Sequence, residues 1–254
     1  MVLRSLARQA RFQFWKLDSL RFAGSAFSCP ICGGKFGEMK PFVGSWSLRG
    51  VITDHYTPNA ICPRCHSDIR QRFVVEYLRQ KSDLLTMPHR VLHFAPEISI
   101  YNLFRQSGAD YVAADIDPSQ FVGAVFADIT DIPFPAEDFD ATICIHVLEH
   151  IADDQRAIGE LHRILKPGGQ ALIAVPTYGD KTYEDPNLDY DGRVIQYGIG
   201  DHLRMNGLDF SDKLRDAGFL VDVVSIDDVE GDFFDRSVRS PHTESDRYLF
   251  HCVK

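Results

Sequence analysis

No apolar run in the 254-residue chain approaches eighteen residues, so no membrane span is expected. A secretory pattern is also missing, because Arg4, Arg8 and Arg11 interrupt the apolar residues at the N-terminus and no small-residue cleavage site follows. There is no internal repeat and no low-complexity tract. Glycine is absent where a dinucleotide loop needs it: no Gly-x-Gly-x-x-Gly follows the first strand of the α/β part, which argues against a nicotinamide-dependent enzyme. Cysteine is scarce, six in all, and does not form a secreted disulfide framework. Four of the six make two Cys-x-x-Cys pairs, while Cys144 and Cys252 sit in apolar strand-like runs as small core residues. These absences leave a cytoplasmic chain long enough for one medium α/β domain and a small accessory unit.

Charge is present but uneven. The net charge is −9, yet residues 1–90 carry 14 Lys/Arg against 6 Asp/Glu, and residues 91–254 carry 13 against 30. The acidic body argues against broad nucleic-acid binding by that part, since phosphate attraction needs positive charge. The basic part either meets an anionic partner or docks on the acidic body.

Three regions follow. Residues 1–26 hold a basic amphipathic helix: Leu3, Leu6, Ala7, Ala10, Phe14 and Leu17 share one arc and the arginines another. It packs on its own protein or makes peripheral contact with a membrane surface or partner; a targeting segment is a third reading. Residues 27–84 form the cysteine module and a following helix from Ser67, the expected N-cap, to about Gln80. Residues 85–254 alternate strand and helix. Strands are expected at 91–95, 111–115, 124–128, 141–145, 171–175, 219–225 and 248–252, with helices over 97–106 and 153–165, the second capped by the glycines of Lys166-Pro167-Gly168-Gly169. Continuous apolar strands alternating with helices predict an α/β fold: a Rossmann-like, doubly wound, seven-stranded, mostly parallel sheet. The polar segment 177–206 breaks the rhythm, as functional insertions do.

Cys29-Pro-Ile-Cys32-Gly-Gly and Cys62-Pro-Arg-Cys65 each place two thiolates on one tight turn. Two such turns supply the four soft ligands of a closed, tetrahedral, structural Zn2+ site. Gly after the second Cys is expected to let backbone N–H groups approach sulfur. His55 and His66 are nearby but are not needed as ligands.

In an open α/β sheet, ligands bind at the carboxyl ends of the strands near the switch in strand order. His93-Phe94-Ala95-Pro96-Glu97 ends the first strand, Asp115 the second, and Asp128-Ile129 the third. An acid closing the second strand can accept from both ribose hydroxyls, and one closing the third from an adenine amino group.

In Ala114-Asp115-Ile116-Asp117-Pro118, Ala127-Asp128-Ile129-Thr130-Asp131-Ile132-Pro133-Phe134-Pro135, His146-Val147-Leu148-Glu149-His150-Ile151 and Glu160-Leu161-His162-Arg163-Ile164-Leu165-Lys166-Pro167-Gly168-Gly169, the chain resembles the class I S-adenosylmethionine-dependent methyltransferases. It is also similar to a subgroup with an N-terminal zinc ribbon. The resemblance implies S-adenosyl-L-methionine as cofactor, with His93, Ala95, Glu97, Asp115, Asp128, Ile129 and His146 around it. Ala95-Pro96 stands where the wider family has a Gly-rich loop. His146, just past the fourth strand, is the first candidate for a catalytic base, and His202 in Asp201-His202-x-Arg204 the second.

The expected function is methyl transfer to a small molecule or glycan. A non-catalytic adaptor built on the zinc module is the rival from another class. A methyltransferase whose acceptor is nucleic acid (RNA) or protein, presented by the basic module, is a third reading.

Overall fold

A computed structural model of the chain describes residues 19–48, 51–238 and 240–254. The amphipathic helix expected over 3–17 lies outside the described residues.

The architecture centres on a seven-stranded sheet ordered β10-β11-β9-β8-β5-β6-β7. Its strands are β5 (Arg90–Phe94), β6 (Asp110–Asp115), β7 (Val125–Phe126), β8 (Phe139–Ile145), β9 (Leu165–Ala174), β10 (Leu220–Ser225) and β11 (Tyr248–Val253). β7, β6, β5, β8 and β9 pair in parallel, and β11 runs antiparallel to both β9 and β10. The chain starts at β5, steps outward through β6 and β7, then returns to β8 on the other side. The switch point therefore falls between β5 and β8.

Strand residues alternate between two cores. Val91, Ile143, Ile145, Leu172 and Leu249 join α1 (Ile69–Lys81) and α2 (Ile98–Phe104) on one face. Leu92, Phe94, Cys144, Ala171, Ile173 and Phe250 join α3 (Asp154–Ile164) on the other. α3 forms because Ala157, Ile158, Leu161 and Ile164 fall on one helical stripe, and because the Asp153 carboxylate accepts the Arg156 N–H at 3.0 Å.

Two sequence expectations change here. The glycines after α3 do not cap it: Leu165 is already extended and pairs with Phe139, so β9 begins directly at the helix end. Gly168, at φ +76°, instead turns the start of β9 so that its N–H reaches the Lys254 carbonyl at 2.9 Å. The cap of α1 is Asp68 rather than Ser67; its carboxylate accepts the Gln71 N–H at 3.1 Å.

Before the sheet come β1 (Ala23–Ser28), β2 (Lys35–Phe36) and the hairpin of β3 (Lys40–Leu48) and β4 (Val51–Ile61). α1 ties this region to the sheet. Arg72, with no exposed surface, donates to the Phe233, Ser67 and Ala60 carbonyls at 2.7, 2.6 and 2.9 Å. The buried module residues Phe36, Phe73 and Leu78 share one apolar cluster with Val91 and Phe233.

The segment 177–206 is built rather than irregular. Asp189 caps the short helix α4 (Tyr190–Tyr197), and bridges join Thr177 to Asn206 and Tyr183 to Met205. α4 lies alongside β3. α5 (Phe210–Asp216) and α6 (Pro241–Ser245) complete the helices used below.

Candidate functional site

The two cysteine turns are copies of one geometry. In the first, the Cys29 N–H donates to Gly34 O and the Gly33 N–H to Cys29 O, both at 2.9 Å. In the second, the Cys62 N–H donates to Ser67 O at 2.8 Å and the His66 N–H to Cys62 O at 3.0 Å. Gly33 and His66 hold matching left-handed conformations, φ +66° and +58°. The Gly33 N–H thus closes the turn onto a carbonyl, correcting the expectation that it approaches sulfur.

All four sulfurs lie within 4.8 Å of one another, with Cys29–Cys65 at 3.6 Å and Cys32–Cys62 at 3.7 Å. Two thiolates on one tetrahedral zinc at ~2.3 Å are separated by about 3.8 Å, so the donor set and its spacing fit that ion. Without a cation these thiols contend for protons: hydrogen bonding with Cys32 pulls Cys29 well down, and hydrogen bonding with Cys29 pushes Cys65 well up. The Ser67 hydroxyl lies 3.1 Å from Cys65 Sγ, which is why it is not the cap of α1.

At the switch point, the residues just past β5 and β8 are both left-handed: Ala95 at φ +44° and His146 at φ +53°. Such conformations in non-glycine residues cluster at functional sites. The Ala95 N–H donates to Ala114 O at 2.9 Å, and the His146 N–H to Ala174 O at 2.8 Å. Alanine therefore turns the chain as a glycine would, and Ala95 is exposed.

His93 has no exposed surface for a ligand. Its Nδ1 meets the Tyr111 hydroxyl at 2.9 Å and its Nε2 meets Glu97 Oε2 at 3.2 Å, so it orients Glu97. Glu97 Oε1 is buried without a protein partner. Asp115, half-buried, accepts the Asp117 N–H on Oδ1 at 2.8 Å. Asp128 is exposed and accepts the Thr130 N–H and hydroxyl on Oδ1 at 2.8 and 2.7 Å, which hold its carboxyl below the usual range. Ile129 beside it is buried.

Past β8 the titratable groups crowd. His146 Nε2 lies 3.1 Å from Asp246 Oδ1, and its Nδ1 lies 3.8 Å from Glu149 Oε1. Burial pushes the Glu149 carboxyl up. Burial, with His150 adding to it, pulls His202 down to about 4. Arg70, in the first turn of α1, lies 3.3 Å from Asp68 and 3.6 Å from Asp246; burial opposes its charge, and the two acids more than offset that. The structure thus gathers His146 and His202 around Glu149. Sequence reading did not single out Arg70 or Asp246, which arrive from α1 and from the end of α6. Arg204 is buried, donating to the Leu148 and Ile151 carbonyls at 2.9 and 2.7 Å and to Glu184 at 3.0 Å, so it shapes the 148–152 turn.

This is the Rossmann-like fold of S-adenosylmethionine-dependent methyltransferases, and comparison with known proteins agrees. Residues 98–173 match a family profile described as a methyltransferase domain. The chain is 30% identical to a demethylmenaquinone methyltransferase of Thermus thermophilus over 102 residues, covering 34% of this chain and 46% of that protein. It is 40% identical over 73 residues to a probable tRNA methyltransferase 9B of Homo sapiens, covering 27% and 16%. A solved S-adenosylmethionine-dependent methyltransferase from Mesorhizobium loti shares the fold at a TM-score of 0.53 and 13% identity, over 72% of this chain and 98% of that one. The chain spans less than half the length of these two curated relatives. Among the described residues, no helix is long and apolar enough to cross a membrane.

Proposed function

We propose that the chain transfers a methyl group from S-adenosylmethionine to a small molecule or glycan, with a structural zinc ion in its four-cysteine module. One observation carries the methyltransferase reading. Asp115 closes β6, the strand beside β5, and Asp128 follows β7, the strand beyond it, at the carboxyl edge of a sheet with this strand order. Bound there, the cofactor supplies a methyl group on a positively charged sulfur.

The chain's own residues do the rest. Asp115 has one oxygen on the Asp117 N–H and the other open to ribose hydroxyls; Asp128 is placed likewise for an adenine amino group. The left-handed Ala95 turn fits close approach of the cofactor's methionine end, for whose amino group the buried, unsatisfied Glu97 Oε1 is the candidate acceptor. His146 Nε2 lies 3.1 Å from Asp246 Oδ1; in the tautomer that puts the ring proton there, Nδ1 keeps its lone pair. As the acceptor's oxygen or nitrogen bonds to the methyl carbon and the carbon–sulfur bond breaks, the acceptor's proton passes to that nitrogen. Holding the reacting atoms roughly 3–3.5 Å apart supplies most of the catalysis. The free thiols suit the cytoplasm as compartment.

Calorimetry with S-adenosylhomocysteine tests the reading. Binding with about one site per chain is expected. A folded chain that binds none refutes it and leaves the adaptor reading. A second acceptor class, RNA or protein, is favoured by the charge of residues 1–90 and by the similarity to a tRNA methyltransferase.

A further inference from the structure

Glu149 follows β8 within the turn Leu148–His150, and its side chain has no exposed surface. Neither carboxylate oxygen has a hydrogen-bond partner. A buried carboxyl group left without any donor is costly and calls for a partner. Two imidazole nitrogens, His146 Nδ1 and His150 Nε2, each lie 3.8 Å from Oε1. That is too long for a hydrogen bond but near the spacing of two atoms sharing one cation, about 3.3 Å for ligands at ~2.0–2.1 Å.

The partners of His150 point the same way. His150 Nδ1 lies 3.2 Å from the Asp201 carbonyl, so Nδ1–H donates there and the Nε2 lone pair faces Glu149. Metal-bound histidines are oriented by such a bond. His202 packs its ring against His150, centroids 4.8 Å apart, and one donor atom from each of Glu149, His150 and His202 lies within 4.8 Å of the others.

We propose that Glu149, His150 and His202 bind a divalent first-row cation beside the methyl-transfer site, and that this cation holds an acceptor through an ionisable hydroxyl. Two imidazoles and a carboxylate are a donor set for such ions, and three protein ligands leave positions open for the acceptor's oxygen. A hydroxyl on the cation loses its proton more readily, which lowers the demand on His146. The cation's role rests on the methyltransferase reading above; its presence does not.

The test uses the full chain, stripped of loosely held metal and titrated with Mn2+, followed by its paramagnetic resonance signal. Mn2+ favours oxygen and nitrogen over thiolate, so the cysteine site stays silent. One Mn2+ per chain is expected. Glu149→Gln and His202→Gln should each weaken it by about a hundredfold, with circular dichroism and S-adenosylhomocysteine affinity unchanged; His150→Gln replaces either variant that fails to fold. A wild-type chain that binds no Mn2+, or folded variants that bind it as tightly, overturn the proposal. Loss of S-adenosylhomocysteine binding by the wild type counts against the methyltransferase reading and leaves the Mn2+ result to decide the site.

Discussion

His146 Nε2 and Asp246 Oδ1 lie 3.1 Å apart, joining the residue that follows β8 to one that lies between α6 and β11. The same carboxylate group reaches toward Arg70 on α1 at 3.6 Å. One acid therefore fixes the candidate base and connects it to the helix that leaves the cysteine module. Removing its charge without changing its shape frees the imidazole to take the other tautomer. Asp246→Asn should lower kcat by about 10²-fold or more once an acceptor is in hand, with S-adenosylhomocysteine affinity retained. An unchanged kcat removes Asp246 as the positioning residue for His146.

Asp115 gives a sharper test, because no acceptor is needed. A charged acceptor bonded to a ligand hydroxyl contributes roughly 1.5–3 kcal/mol. Asp115→Ala should weaken S-adenosylhomocysteine at least about tenfold in calorimetry, while Asp117→Ala, whose carboxylate accepts the Ser119 N–H at 3.1 Å, should have a smaller effect. Equal losses would shift the ribose contact away from the end of β6.

The cysteine module predicts metal content. Elemental analysis should find about one zinc per chain, and Cys62→Ser should lose it. Structural zinc binding is coupled to folding, and α1 leaves this module to enter the sheet's core, so the zinc-free variant should also melt at a lower temperature. A folded, metal-free wild type overturns the assignment.

What the sequence made legible follows from range. Strands such as 141–145 and 171–175 are short apolar runs whose burial on both faces needs no partner to be recognised, and the two Cys-x-x-Cys turns announce their own convergence. The misses are contacts made across the chain. Ser67 reads locally as a cap, but it is drawn to Cys65 and Cys29 by the meeting of both cysteine turns, and Asp68 caps instead. His93 reads as a site residue from its place at the end of a strand, but Tyr111 and Glu97 enclose it. Gly168 reads as a helix cap because Leu165's pairing with Phe139 is invisible from α3 alone.

Two histidines away from the site add to the pH dependence of stability that His202 brings. His251 accepts the Tyr77 hydroxyl on Nδ1 at 2.9 Å and donates from Nε2 to Gln170 at 3.1 Å, a pattern only the neutral ring completes. Burial pulls its pKa below the usual value, and pulls His162 down as well. Because these values are lower folded than unfolded, the unfolded chain binds protons first as the pH falls. Stability is therefore complete above about pH 6.5 and declines below it. Thermal melts should show a lower midpoint at pH 5.5 than at pH 7.5, and His251→Gln should reduce that difference, with His162 and His202, also pulled down by burial, supplying the rest. A midpoint that rises on acidification contradicts the sign.

Ala95 tests whether the alanine–proline loop is a strained stand-in for glycine. An alanine in the left-handed region costs about 1–2 kcal/mol, and φ there is +44°. Glycine removes that cost but gives back about 0.5–1 kcal/mol of unfolded-state freedom. Ala95→Gly should thus be neutral to stabilising by about 1 kcal/mol in denaturant melts, whereas Ala95→Val, with a branched Cβ in the same conformation, should destabilise by more than that. If the turn exists to let ligand approach the backbone, the glycine variant should also bind S-adenosylhomocysteine at least as tightly as the wild type. Destabilisation on Ala95→Gly would mean that the methyl group of Ala95 is packed rather than tolerated, and that the loop is shaped for something other than close approach.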